Sequence, residues 1–82
     1  MKHYVYIVEC NDGSFYTGYT LNIEKRVNEH NTSKLGAKSL KGKLPVRLVY
    51  FEEYRSKTSA LKREYEIKTW SREQKLSLVN KE

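Results

Sequence analysis

Cysteine, proline and aspartate each occur once in the 82 residues. A single thiol, Cys10, excludes an internal disulfide framework and any Cys-x-x-Cys metal or redox site, and it fits a reducing, cytoplasmic setting. With Asp12 as the only aspartate beside nine glutamates, a clustered-Asp centre of the two-metal kind is disfavoured. No run of about 18 apolar residues is present, so no membrane span is expected. The N-terminus has no apolar stretch followed by small residues, so no signal peptide is expected. A length of 82 residues predicts a single domain over 1–82, and a chain this small buries only about 60% of its unfolded surface.

Acids are also missing locally. Between His30 and Phe51 there is no Asp or Glu, while Lys34, Lys38, Lys41 and Lys43 fall in that stretch. The whole chain carries sixteen Lys+Arg against ten Asp+Glu, a net charge of +6. A balance of this sign raises nucleic acid as a partner through phosphate neutralisation, and equally describes a solvated basic surface. Seven tyrosines supply core bulk, hydrogen-bond donors and potential bases together.

Local patterns predict the order ββαβαα, an α+β fold with a three-stranded antiparallel sheet flanked by helices. Tyr4 to Cys10 is rich in β-branched and aromatic residues. Asp12-Gly13 then marks a tight turn, and Phe15 to Tyr19 reads as the returning strand. Asn22 is placed to cap a helix from Ile23 to His30, with Glu24 in its first turn. Asn31 to Pro45 reads as a loop. Val46 to Tyr54 reads as a third strand whose continuous apolar middle predicts a central or helix-covered position. A second helix is expected from Thr58 to Trp70. Ser71 and Gln74 form a capping box that opens a third helix ending near Asn80.

Several polar residues fall on inward-facing positions. At about 100° per residue, Ala60, Leu61 and Ile67 define an apolar arc on the second helix, with Glu64 inside it. A carboxylate there needs an ion-pair partner, such as Arg26 or Lys68, or a hard cation, which favours carboxylate oxygen. On the first helix, His30 falls between Ile23 and Val27 in angle, and Arg26 stands four residues before it on the same side. His30 can be a satisfied core residue; Arg26 beside it suits bidentate phosphate recognition. Tyr4 and Tyr6 share one strand face, and Tyr16 lies across the turn, where cross-strand packing alone could account for them. Gly18, inside a strand, marks a place of close approach. Together these residues form a possible phosphodiester-cleaving set.

On these residues the chain resembles the GIY-YIG nuclease family, in particular the small single-domain bacterial branch related to the N-terminal domain of the excinuclease C protein. Tyr4-Val5-Tyr6 stands in place of GIY and Tyr16-Thr17-Gly18 in place of YIG. Asn22 to Asn31 matches the family's Arg-x-x-x-His helix, and Ala60 to Lys68 matches the helix that carries its glutamate. The likeness spans about residues 3–80. It implies hydrolysis of a DNA phosphodiester with one divalent cation, Mg²⁺ or Mn²⁺, in DNA repair or recombination; RNA is not excluded. It further implies Glu64 as metal ligand, Arg26 on the scissile phosphate and Tyr6 as base. Tyr16 would position water or phosphate, His30 would assist proton transfer, and Gly18 would keep the second strand clear. Asn80 is the one candidate for the family's late asparagine. With no second module in view, cutting is expected to be structure-directed or weakly specific, or targeted by a protein partner. The alternative is a non-catalytic nucleic-acid-binding module that uses the basic 30–51 segment. A protein-interaction domain with a vestigial site fits less well, because all five polar positions are intact.

Overall fold

The computed structural model describes residues 1–32 and 42–80. It is an α+β fold in the predicted order: β1 (His3–Glu9), β2 (Phe15–Thr20), α1 (Ile23–Thr32), β3 (Arg47–Tyr54), α2 (Lys57–Lys68) and α3 (Arg72–Val79). The β1–β2 turn forms because Asp12 Oδ1 accepts from the Ser14 backbone N–H at 3.0 Å and from its hydroxyl at 2.6 Å. Gly13 takes a φ of 84°, a conformation that side-chain-bearing residues rarely adopt. Asn22 caps α1 through its Oδ1, which accepts from the Lys25 N–H at 3.1 Å. The capping box of α3 is complete, with the Ser71 hydroxyl accepting from Gln74 N–H at 3.2 Å and Gln74 Oε1 accepting from Ser71 N–H at 2.9 Å.

The sheet order is β2-β1-β3, antiparallel throughout. Of the two positions expected for the third strand, β3 takes the helix-covered one: it is an edge strand whose Val49, Tyr50 and Tyr54 pack with residues of α2 and α3, and the centre belongs to β1, whose Val5 to Val8 are all buried. An apolar run is common to both strands. Which one becomes central is decided by pairing, which the run does not encode. A bulge beside Ile7 and Val8 places one extra residue in β3, so Ile7 faces Tyr50 while Val8 faces Leu48.

Alternation along β1 splits the core into two layers. Tyr6 and Val8 point to one face, where Val46 joins them and Val27 of α1 packs on top. Val5 and Ile7 point to the other face, covered by Ala60 and Ile67 of α2 and by Leu78 and Val79 of α3. Leu61, expected in the apolar arc of α2, is 38% exposed. The buried stripe of α2 is narrower than expected because Ala60 and Ile67, seven positions apart, already span the contact. α2 also stops two residues short of Trp70. The N–H groups of Thr69 and Trp70 bond the carbonyls three residues back, at 3.2 and 3.0 Å, and this tightened turn ends the helix.

α1, in contrast, runs two residues beyond His30. Its extension brings Asn31 against the residue before β3. Asn31 Nδ2 donates to the Val46 carbonyl at 2.9 Å, and Asn31 Oδ1 accepts from the Val46 N–H at 2.8 Å. One side-chain amide thus satisfies both backbone groups of a buried residue, as a neighbouring strand would. Residues 42–45 form neither helix nor strand, as expected of the loop, and its 33–41 part lies outside the described residues.

Candidate active site

Tyr6 occupies the middle of the central strand and is 1% exposed. Burying a phenol there requires room on the adjacent strand and a partner for its hydroxyl. The room comes from Gly18, its register partner on β2. A Cβ on Gly18 would lie 2.4 Å from Tyr6 Oη and 2.5 Å from Cζ, so the ring rests on the glycine backbone. The close approach that Gly18 marks is therefore made by the protein's own tyrosine. The hydroxyl's partner is His30, whose Nε2 is 2.8 Å from Tyr6 Oη. His30 is itself 2% exposed, held on the inner face of α1.

Tyr16 completes an aromatic triangle. Its ring centroid is 6.5 Å from that of Tyr6 and 5.5 Å from His30, the latter edge-on. Arg26, one turn before His30, lies near enough to the Tyr6 hydroxyl to favour its ionised form, and it pairs with Glu29 at 3.1 Å. Glu29 was not picked out from the sequence. The signal was available in its spacing, three residues after Arg26 on the same helix. Tyr4, though on the same strand face as Tyr6, turns its ring edge to Phe51 of β3 at 6.1 Å and stands apart from the triangle.

The electrostatics follow from this packing. Burial, then the neighbouring Tyr16, pushes the Tyr6 phenol up to about 12, against the pull of Arg26. Burial, then the Arg26 charge, holds His30 below its ordinary value, so both partners are neutral at pH 7. Burial works against the charge of Arg26, but Glu29 and Tyr6 outweigh this and keep its pKa raised.

Glu64 reaches the same region from α2. Its negative charge contributes to raising Tyr6, so it lies within electrostatic range of the phenol. Its carboxylate is 17% exposed and pairs with Lys68 at 3.2 Å, one of the two ion-pair partners considered from the sequence. Lys68 is half exposed, and a pair of this kind is worth about 0–1 kcal/mol. Among the described residues, no three His, Cys, Asp or Glu side chains converge into a metal cage. A single recessed carboxylate is the donor type that suits Mg²⁺ or Mn²⁺ keeping most of its waters.

α2 is held in place by a network that was not anticipated. Arg63, the neighbour of Glu64, donates to both oxygens of Glu52 on β3 at 2.9 and 3.1 Å. Tyr50 and Tyr54 donate to the same carboxylate at 2.5 and 2.6 Å, and the guanidinium lies 5.1 Å over the Trp70 ring. The alternation Tyr50, Glu52, Tyr54 put these groups on one strand face and was visible in the sequence.

Other expected residues are placed elsewhere. Lys34, Lys38 and Lys41 lie outside the described residues. Lys43 is tied to the β1–β2 turn, its ammonium 3.7 Å from Asp12 and its carbonyl accepting from the Asn11 N–H at 2.8 Å. Asn80 caps α3 on the opposite layer, at an open hollow of about 640 Å³ shared with Trp70, Gln74, Ser77 and Leu78. No ionisable side chain lines that hollow, whereas Tyr6, His30 and Arg26 cluster on the α1 side of the sheet.

Comparison with known proteins gives concordant results. A family model described as the GIY-YIG catalytic domain matches residues 2–77. A UPF0213 protein of Staphylococcus saprophyticus is 58% identical over 79 residues, 96% of this chain and 95% of that one. The solution NMR structure of a UPF0213 protein from Bacillus halodurans is 49% identical, with a TM-score of 0.62 over 96% of this chain and 83% of that one. A solution NMR structure from E. faecalis is 36% identical, with a TM-score of 0.66 over 99% of this chain and 85% of that one.

Proposed function

The chain belongs to the GIY-YIG family of nuclease domains, and from this we propose that it is a divalent-metal-dependent endonuclease that hydrolyses DNA phosphodiester bonds. Cutting would be directed by structure more than by sequence, as suits branched or nicked DNA in repair or recombination. The observation that carries the reading is the Tyr6–His30 contact of 2.8 Å, reinforced on the phenolic oxygen by Arg26. A buried pair of neutral groups, one a proton donor and one an acceptor, is a proton path.

In this reading His30 Nε2 is the final proton acceptor and Tyr6 the relay. With the Arg26 charge near the phenolic oxygen, the Tyr6 O–H points to His30. As a water attacks phosphorus, its proton passes to Tyr6 Oη while the Tyr6 proton passes to His30. The new P–O bond forms as the bond to the leaving oxygen breaks, and the electron pair departs with that oxygen, to be protonated by solvent. Tyr6 alone, with a pKa near 12, would be a poor source of phenolate at pH 7, and a neutral His30 removes the need for one. Arg26 exchanges its contact with Glu29 for the phosphate and stabilises charge that grows on its oxygens. Tyr16 orients water or phosphate. Glu64 would hold the Mg²⁺ or Mn²⁺, which when bound supplies further positive charge to the phosphate oxygens.

The test is a cutting assay with purified protein, with Mg²⁺ or Mn²⁺, on branched, nicked and single-stranded DNA and on an RNA control. Glu64→Ala is expected to lower the rate at least ~100-fold, the scale of losing one electrostatic stabiliser, with DNA binding retained. Equal cutting by both proteins would assign the activity to a contaminant and end the proposal.

A further inference from the structure

β3 is bonded to β1 on one side, and no strand among the described residues meets its other side. Natural edge strands are blunted by charges, prolines or brevity, because an open edge is a template for another strand. β3 is eight residues long, and Leu48 to Phe51 in its middle carry no charge. Leu48 is 37% exposed and Phe51 52% exposed. Two hollows flank this edge. One, of about 530 Å³, lies on the α1 face; Tyr4, Leu21, Ile23, Leu48 and Phe51 form its apolar part, and Asn22, Glu24 and Glu53 its polar rim. The other, of about 510 Å³, lies towards α3 and is lined by Val49, Tyr50 and Val79, with Leu48 and Phe51 again. The same two exposed side chains thus border hollows on both sides of this edge, one rimmed by Glu24 and Glu53 and the other apolar. The sequence of β3 is that of a central strand, while its place in the single chain is at the edge.

We propose that two copies of this chain pair through β3, antiparallel and about a two-fold axis, to form one continuous six-stranded sheet in which β3 becomes central. The occupant is a second copy because the strand is complementary to itself in one register. The register with β1 puts Arg47, Tyr50 and Glu52 on the α2–α3 face and Leu48 and Phe51 on the α1 face. Directly opposed residues of antiparallel strands share a face. Opposing Leu48 to Phe51 of the second copy satisfies that rule along the strand. It sets Val49 against Tyr50 and Arg47 against Glu52, so opposite charges meet at both ends of an apolar centre. Phe51 of each copy then enters the α1-side hollow of the other. An axis of this kind leaves both Tyr6 clusters on the same side of the joined sheet, with their β1 strands about 14 Å apart at the usual strand spacing.

The test is sedimentation equilibrium of the full chain over micromolar to millimolar concentration, with the mass expected to rise from 9.7 kDa to twice that. Leu48→Lys with Phe51→Lys, both at exposed positions, is expected to keep the circular dichroism of the fold and to weaken self-association at least ~30-fold, as for loss of interface hot spots. Mixing Leu48→Cys with Phe51→Cys chains under oxidation is expected to give a crosslinked dimer that neither variant forms alone. A chain that stays monomeric at every concentration overturns the proposal. So does a dimer indifferent to the lysine pair. A monomer in which Phe51→Lys instead alters DNA affinity also overturns it and assigns the edge to substrate.

Discussion

Replacing Gly18 by alanine adds one methyl group to a strand, and in an ordinary strand that helps, by about 0.5–1 kcal/mol, because glycine has more backbone freedom to lose. Here the opposite sign is expected. The new Cβ would stand 2.4 Å from Tyr6 Oη, 2.5 Å from Cζ and 2.9 Å from Cε1. Favourable carbon contacts begin near 3.5 Å, so the ring or the strand must move by about an ångström. The ring is poorly able to move, being 1% exposed and in contact with His30 and Tyr16. β2 is an edge strand and can shift, at the cost of its register with β1. Overpacking of this kind costs about 1–3 kcal/mol, and a stretched Tyr6–His30 bond adds about 0.5–1.5 kcal/mol. After subtracting the ordinary gain, the variant should be less stable by roughly 1–3 kcal/mol. Each kcal/mol is about 4–8 °C of Tm in a domain this size, so thermal unfolding followed by circular dichroism resolves it. Tyr6→Ala removes the obstructing ring; in that background the same Gly18→Ala change should become neutral or stabilising. An alanine that stabilises the wild type, or costs the same in both backgrounds, would refute the account of Gly18 as the seat of the Tyr6 ring.

Thr17, in the Ile position of the YIG motif, is 2% exposed, and its hydroxyl oxygen meets no hydrogen-bond partner among the described residues. Thr17→Val should raise stability by about 1 kcal/mol in urea titrations; a loss of that size would mean that the hydroxyl has a partner. Tyr6, Tyr50 and Tyr54 are each pushed up to about 12, mainly by burial, with Glu52 adding to the last two. Their neutral forms are favoured by folding, so the stability they contribute is complete below pH 10 and is lost as pH rises towards 12; phenolate absorbance should reveal them as a late-titrating group that Tyr6→Phe reduces by one.

Features set by neighbouring residues were legible in the sequence. Asp12-Gly13 made the turn, Asn22 and the Ser71–Gln74 box opened their helices, and the α+β order followed. The inward positions of His30 and Glu64 were legible too, since helical angle depends only on spacing. Pairwise meetings across the chain were not. That Tyr6 bonds His30, and that its ring needs Gly18, depends on register between β1 and β2 and on where α1 crosses the sheet. The edge position of β3 escaped for the same reason, since an apolar run reports burial and says nothing of which strand lies beside it. Leu61 shows the limit of an angular reading: lying near the inward arc does not bury a residue once Ala60 and Ile67 have filled the contact.

The amide of Asn31, bonded to both backbone groups of Val46, has a consequence for how relatives of this chain can diverge. It fastens the end of α1 to the start of β3 and so closes the connection between them at its base. Changes of length above such a fastening leave the helix and strand where they are, and doubling the connection costs only about 0.6 kcal/mol in closure entropy. The fastening holds the helix end that carries His30, a single residue before it. The buried histidine is thus anchored through the backbone of the residue that leads into the third strand, by one side-chain amide.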